Sequence, residues 1–446
     1  MEQTAVEKKF GKYVMASMIT MFLQSAYSMI DGLFVSNLIG DTALSAVNVA
    51  WPIIAVVTAI GTGVGCGGAV MMSTKQGEGK NEESNIVRAN VILALLASSI
   101  VVTILFLILL TPLLKLMGAE GELLRLSQIY GRVMLTGGVL QILSCGLTPL
   151  LRNDNRAVSA MMIMVGGLFA NLGLDFVFMY VFHMGIGGAA GASLCAQLFT
   201  TVCCLMILYT KKTDPIRLSQ FMIRKEYWKK IFKTAVSPFG ISLTPSLLIL
   251  YHNVACLKFG GDLAVNAYAL ISSTVGSYRV LLIGVAEGIQ PLASYAYGAH
   301  DFHAIRKIRN KAITAIGVSF FLFIFTIATA RFYPAIYGYE GEAAELGYHA
   351  VMVTAAQLIF TGLVRVTNSF FYSVGKDKYS LFMIYFDPLI MTPLTIVILP
   401  RILGLDGIWI TAVMTQFILN IVAFGMFASH ERQMKRMEAE KAFAGK

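Results

Sequence analysis

Twelve long apolar runs occupy most of this 446-residue chain, at roughly 13–38, 44–73, 88–112, 124–148, 157–182, 186–209, 229–256, 263–290, 312–333, 346–371, 379–400 and 406–428. A membrane's hydrocarbon layer is crossed by roughly 20 apolar residues in a helix. Backbone groups in lipid must bond within their own segment, so spans are helices or closed barrels. Barrel strands would be shorter and would alternate apolar with polar residues, and these runs do neither. The expected fold is an all-α polytopic membrane protein of twelve transmembrane helices. Only 13% of residues are charged, against about 25% in soluble domains, and the mean hydropathy is +0.70. The start, Met1 to Lys12, is polar, and the run after it carries Asp31 and no small-residue cleavage site. It reads as a retained span, not a signal peptide.

Lysine and arginine mark the cytoplasmic loops of membrane proteins. With the N-terminus inside, 27 of the 35 Lys and Arg residues fall on cytoplasmic segments, eight of them between Lys211 and Lys233. Both termini are therefore expected in the cytoplasm. The same bias accounts for the net charge of +10 without a nucleic-acid partner.

The basic stretch divides the spans six and six. We expect an N-terminal six-helix lobe at 1–210, a cytoplasmic linker at 211–228, a C-terminal lobe at 229–430 and a tail at 431–446. Ala46-Val47-Asn48 recurs as Ala264-Val265-Asn266, and Gly185, Gly188 and Gln197 recur as Gly404, Gly407 and Gln416, at offsets of 218 and 219. Six spans per half give both halves one orientation. That is a parallel pseudo-two-fold repeat, which places an expected cavity between the lobes near the midplane.

Acids inside spans are costly and functional by default. Asp31 lies in the first run and Asp175 in the fifth, with Asn171 one helical turn before it. Asp31 and Asp175 each lie seven residues from the outer end of their run, and Ser193 lies seven residues into the sixth. At 1.5 Å per residue all three sit about 10 Å deep. Such a cluster could hold a proton, because neighbouring carboxylates repel. It could equally offer hard oxygens to sodium, at Asp31, Asn171 and Asp175, or serve only as a packing network. The second half instead carries Arg279, Glu287, Arg365 and Asp387 within spans, with Arg365 and Asp387 a candidate pair and Glu287 near the inner end. These four, with Tyr27 and Gln197, are candidates for substrate contact or gating.

Six cysteines without metal-ligand spacing read as apolar packers. The cluster Gly61-Thr-Gly-Val-Gly65-Cys-Gly-Gly68 lacks the Lys-Ser/Thr of a phosphate loop and reads as close helix packing. No catalytic motif is present, so no enzyme is expected, and no cofactor beyond a coupling proton or sodium ion. With no nucleotide motif, transport would be driven by a gradient.

Asp31, Asn171-x-x-x-Asp175, Ala189-Ala-Gly-Ala-Ser193 with Gln197, and Glu287-Gly-Ile-Gln-Pro-Leu-Ala-Ser-Tyr-Ala-Tyr297-Gly298-Ala299 together resemble the multidrug and toxic compound extrusion (MATE) family. The likeness is to its MepA/DinF-like bacterial branch. It implies two six-helix lobes in a V, and export of lipophilic or cationic drugs by antiport with protons or sodium. The implied ion-site roles fall on Asp31, Asn171 and Asp175, with Ser193 where a threonine is common. The expected partners are small drug-like molecules and the bilayer, and the chain is expected to act as a monomer. Two features depart from the pattern. No proline precedes Pro52, where archaeal relatives bend the first helix. Span ten carries Arg365, where another branch has an acid. A lipid or lipid-linked glycan flippase shares the architecture and would need a basic cavity, which Arg279 and Arg365 could supply. A lipid-modifying enzyme would need a nucleophile–base or metal set at one depth, and none is found.

Overall fold

A computed structural model describes the backbone of residues 3–210, 217–313 and 315–444; side chains at 3–8, 27–29, 32–34, 36–37, 41, 218, 315 and 437–444 lie outside the description. The described chain is helical throughout, without strands. In order the helices are α1 (Gln3–Ile39), α2 (Asp41–Gly77), α3 (Asn81–Leu116), α4 (Gly121–Thr136), α5 (Gly138–Asn153), α6 (Ala157–Asp175) and α7 (Gly185–Tyr209). Then come α8 (Lys225–Gly298), α9 (Phe302–Ile313), α10 (Ala315–Thr329), the short α11 (Phe332–Ile336), α12 (Gly341–Ala355), α13 (Gln357–Ser373), α14 (Asp377–Phe386), α15 (Thr392–Leu403) and α16 (Leu405–Ala444).

Eight helices among the described residues are long and apolar enough to cross a membrane. One of them, α8, has 74 residues and breaks at Gly261 (φ 60°, ψ −154°), so it supplies two crossings where two runs were expected. Two further crossings are bent pairs, α4 with α5 at 58° and α12 with α13 at 44°. With the 37-residue α1, twelve crossings result. At the first bend, Gln141 Nε2 donates to the Met134 carbonyl at 2.5 Å, so a backbone acceptor exposed by the break is satisfied inside the bundle.

Helices end where the sequence supplies residues that tolerate positive φ. Gly40, Gly79, Gly118, Gly121, Asn155 and Gly185 have positive φ, and so do Gly261, His300, Gly338, Gly341, Gly375 and Gly404, each 219 to 221 residues later. Only His183 of the described positive-φ residues lacks a counterpart. The duplication inferred from two short matches therefore runs through the backbone of both halves.

The chain forms two compact units, Met1–Met18 with Thr244–Lys446 (unit 1) and Ile19–Leu243 (unit 2). In unit 2, α2 packs through its glycines. A Cβ on Gly61 would meet the Ile142 carbonyl at 2.7 Å, and on Gly65 the Gly146 carbonyl at 2.3 Å, both on α5. A Cβ on Gly67 would meet the Ile231 carbonyl at 2.6 Å, at the start of α8, and on Gly68 the Val91 side chain at 2.1 Å, on α3. The glycine cluster thus lets three neighbours approach one helix, the small-residue packing that membranes favour. Gly65→Ala is expected to cost about 1–3 kcal/mol or more through overpacking. The check is a lowered thermal midpoint of the purified protein, with Gly173→Ala, at a position open to solvent or lipid, unchanged.

The segment before α8 is clasped to α3. Asn90 Nδ2 donates to the Met222 carbonyl at 3.0 Å and its Oδ1 accepts from the Arg224 amide at 3.0 Å. Residues 211–216 of the expected linker lie outside the described residues. In unit 1, Gly284 and Gly288 on α8 present one bare face to the start of α1. Added Cβ atoms would meet Met18 Cα at 2.8 Å and Val14 Cα at 2.6 Å.

Candidate functional site

In unit 2 the α-helical winding of α6 ends at Asp175 and passes into a π turn, Phe176–Val181. There the Phe182 amide reaches back five residues to the Val177 carbonyl, at 2.9 Å. Wide turns of this kind recur at functional sites. Asp175 is fully buried. Asn171, one turn earlier on the same face, donates Nδ2 to Asp175 Oδ2 at 2.9 Å. Asp31 is half-buried on α1. The carboxylates of Asp31 and Asp175 both act electrostatically on the phenol of Tyr130, itself buried on α4. Three helices thus converge on one polar locus, and α4 is pinned there by Ser127 Oγ on the Ala46 carbonyl of α2 at 3.2 Å.

Tyr130 was not among the residues expected from the sequence. The depth count that levelled Asp31 with Asp175 also finds it, because it lies six residues into the fourth run, or about 9 Å. Ser193 is half-buried on α7 and hydrogen-bonds to neither carboxylate. Gln197, a turn further along, has a buried Oε1 that accepts no hydrogen bond. The side chain of Tyr27 lies outside the described residues. No group of three or more His, Cys, Asp or Glu able to hold a metal occurs among the described residues. A cation at this locus would therefore be held by two carboxylates and by neutral oxygens such as that of Asn171. The same two carboxylates, close to one phenol in a low dielectric, could instead hold a proton.

Unit 1 repeats the device with different charges. Asp387 opens a second π turn, Asp387–Met391, whose next residue is Pro388. A proline has no amide to donate, so it interrupts the i→i−4 ladder where the wide turn begins. Asp387 is buried and doubly bonded, accepting from Thr392 Oγ1 at 2.7 Å and from Gln416 Nε2 on α16 at 3.0 Å. Arg365, buried on α13, feels the charges of both Arg279 on α8 and Asp387. It makes no ion pair with Asp387: the pairing expected from the sequence is replaced by bonds from a hydroxyl and an amide. Glu287 is half-buried on α8, beside the Gly284–Gly288 face.

Carboxylates and guanidinium groups held inside apolar spans, at breaks in helix winding, are the kind of group that lines ion and substrate pathways in integral membrane transporters. The MatE family model matches residues 16–177 and 241–397, one block in each half, and the chain belongs to that family of multidrug and toxic compound extrusion transporters. The multidrug export protein MepA of Staphylococcus saprophyticus is 23% identical over 411 residues, covering 91% of this chain and 90% of that protein. A MATE crystal structure in the straight conformation superposes with a TM-score of 0.91 at 24% identity, over 97% of each chain. An outward-facing multidrug resistance MATE transporter of the MOP superfamily gives 0.90 at 24%, also over 97% of each.

Proposed function

We propose that the protein is a secondary active multidrug exporter that antiports lipophilic, cationic compounds against protons or sodium by alternating access. The observation that carries this reading is the fully buried carboxylate of Asp175, which accepts from Asn171 Nδ2 at 2.9 Å where α6 passes into a π turn. A carboxylate inside the bundle can be neutralised by one proton or one small cation, and each occupancy changes the electrostatic cost of burying it. A coupling ion shifts a conformational equilibrium only through its differential affinity for the two states. Asp31, Asn171 and Asp175 are the groups we assign to that binding, with Ser193 at the same depth. The lobes at 1–210 and 229–430 are the bodies we expect to move. The relatives named multidrug export proteins support the substrate class. The bacterial relatives support the inner membrane of a bacterium, and the distribution of Lys and Arg supports termini in the cytoplasm.

A flippase for lipids or lipid-linked glycans is the second reading, favoured by Arg279 and Arg365 in unit 1. One assay separates the two. Inverted vesicles loaded with the protein are given a proton or sodium gradient, and uptake of a cationic dye is followed for wild type and Asp31→Asn. Gradient-driven uptake is expected in wild type only, and the gradient that works names the ion. Undiminished uptake in Asp31→Asn would sink the coupling role. Lipid flipping with no dye movement would favour the flippase.

A further inference from the structure

We propose that the segment from Met222 to Phe232, which leads into α8 in unit 2, is a docking surface for anionic phospholipid. Its cations take the phosphodiester headgroup, and its exposed apolar side chains take the adjoining part of the acyl chains. The segment lies at the end of unit 2 that the proposed orientation puts at the cytoplasmic leaflet. Its lipid binding does not depend on what the protein transports.

The cations of this segment are in surplus. Elsewhere at helix ends the basic groups find carboxylates. Lys75 Nζ lies 3.0 Å from Glu78 and 2.8 Å from Glu83, Arg88 is matched to Asp154, and Arg306 and Arg309 share Glu431. Arg224, Lys225, Lys229 and Lys230 are all exposed, and none forms an ion pair with a described residue. Glu226 is the only acid between Met222 and Phe232. Basic groups beside a span attract anionic lipid, with a gain of about fivefold in affinity for each Lys or Arg at the surface.

Charge alone would describe any loop that sets topology. The apolar residues among the cations single this one out. Met222 is 67% exposed and Ile223 64%, immediately before Arg224. They are not on a free loop. Asn90 of α3 holds the Met222 carbonyl and the Arg224 amide, each at 3.0 Å. Phe221, one residue earlier, stacks on Tyr209 of α7 at 6.5 Å with an interplanar angle of 6°. The backbone is thus fixed on both sides of two apolar side chains that point away from the protein, an arrangement that costs free energy unless something apolar covers them.

The first turns of α8 extend the pattern. Ile231, Thr234 and Ala235 are buried, while Lys229, Phe232 and Val236 form an exposed stripe at helical spacing. Along this stripe lysine gives way to apolar side chains within two turns, about 10 Å of helix. A phospholipid presents charge and then hydrocarbon in the same order. Trp228, half-buried at the changeover, meets the Phe232 ring edge-on at 6.0 Å, and tryptophan is enriched at the membrane–water interface. A soluble polyanion would engage the cations and leave Met222, Ile223 and Phe232 in water, so the surface fits lipid better.

Purified full-length protein is placed in phosphatidylcholine nanodiscs, and rising mole fractions of the lipid are replaced by brominated phosphatidylglycerol or brominated phosphatidylcholine. Bromine quenches nearby tryptophan, and the Trp228 signal is the difference from Trp228→Phe. Phosphatidylglycerol is expected to reach half-maximal quenching at about a tenfold lower fraction than phosphatidylcholine, and salt should shrink the gap by screening. Lys229→Gln with Lys230→Gln is expected to remove most of the gap, at about fivefold per charge, and to leave quenching by phosphatidylcholine unchanged. Met222→Ser with Ile223→Ser should raise the fraction of phosphatidylglycerol needed and keep the effect of salt. Thermal melts accompany each variant. The salt titration on wild type needs no substitution and stays decisive if a variant fails to fold. Equal quenching by the two lipids in wild type, or a gap that survives both high salt and the double lysine variant, overturns the proposal. Loss of the gap on adding soluble glycerol phosphate also overturns it, by assigning the cations to a free anion. No gradient enters this assay, so a lipid preference in a protein that moves no dye would leave the surface standing and remove the antiport reading.

Discussion

Asp175→Asn is expected to weaken gradient-driven dye uptake in inverted vesicles severely while leaving the protein folded. The substitution keeps size and shape, and the new amide oxygen can still accept from Asn171 Nδ2, which now bonds Oδ2 at 2.9 Å. What disappears is the charge, and with it the ability to exchange a proton or hold a cation. Free energies that couple two sites run to about 1–3 kcal/mol, so the ratio of driven to passive uptake should fall roughly 5–150-fold. Asp175 is fully buried whereas Asp31 is half-buried. The buried charge interacts more strongly with its neighbours, so Asp175→Asn is expected to match or exceed Asp31→Asn. Tyr130→Phe, which removes one hydroxyl near both carboxylates, should retain transport with a displaced pH profile. Driven uptake in Asp175→Asn equal to wild type would remove this residue from the coupling site.

Asp154→Ala is expected to lower stability by about 3–5 kcal/mol, the cost of breaking a buried ion pair. Asp154 follows α5 and is 4% exposed, and Arg88 on α3 is fully buried. Arg88 NH2 donates to Asp154 Oδ1 at 2.6 Å, and Gln76 Nε2 on α2 donates to the same oxygen at 3.0 Å. One carboxylate therefore ties three helices of unit 2 at one end of the bundle. The measurement is the thermal midpoint by fluorescence-detected size exclusion. The double variant Arg88→Met with Asp154→Leu supplies the control. Replacing a buried pair with apolar groups of similar volume is often neutral or stabilising, so the double variant should melt well above the single one. A single variant that melts with wild type would mean the pair carries no structural load.

Much of the candidate site could be read in the chain before any coordinates. Asp31 and Asp175 stand out because each is a lone acid in an apolar run, and counting residues from the run ends puts them at one depth. Tyr130 was missed because a tyrosine in an apolar run is unremarkable by composition. Its meaning comes from which way α4 is turned. The Arg365–Asp387 pairing was a fair expectation from two opposite charges in neighbouring spans. The structure instead satisfies Asp387 with Thr392, five residues on across the π turn, and with Gln416 on another helix.

The sequence by itself determined what depends on local order along the chain. That covers the membrane-spanning class, the positions of the runs and the duplicated half, because helix rise and the repeat offset are fixed per residue. It also identified Gly61 to Gly68 as a packing surface. Only the tertiary structure decided what depends on helix rotation and on neighbours distant in the chain. It alone buries Tyr130 in the unit that holds Asp31 and Asp175, divides α1 at Met18 and α8 at Leu243 between the two units, and gives the hydrogen bonds of Asp387 to Thr392 and Gln416. In a bundle of uniformly apolar helices, hydropathy carries no information about which face meets which. Small residues, helix breaks and buried hydrogen bonds choose the faces, and those contacts join residues far apart in sequence.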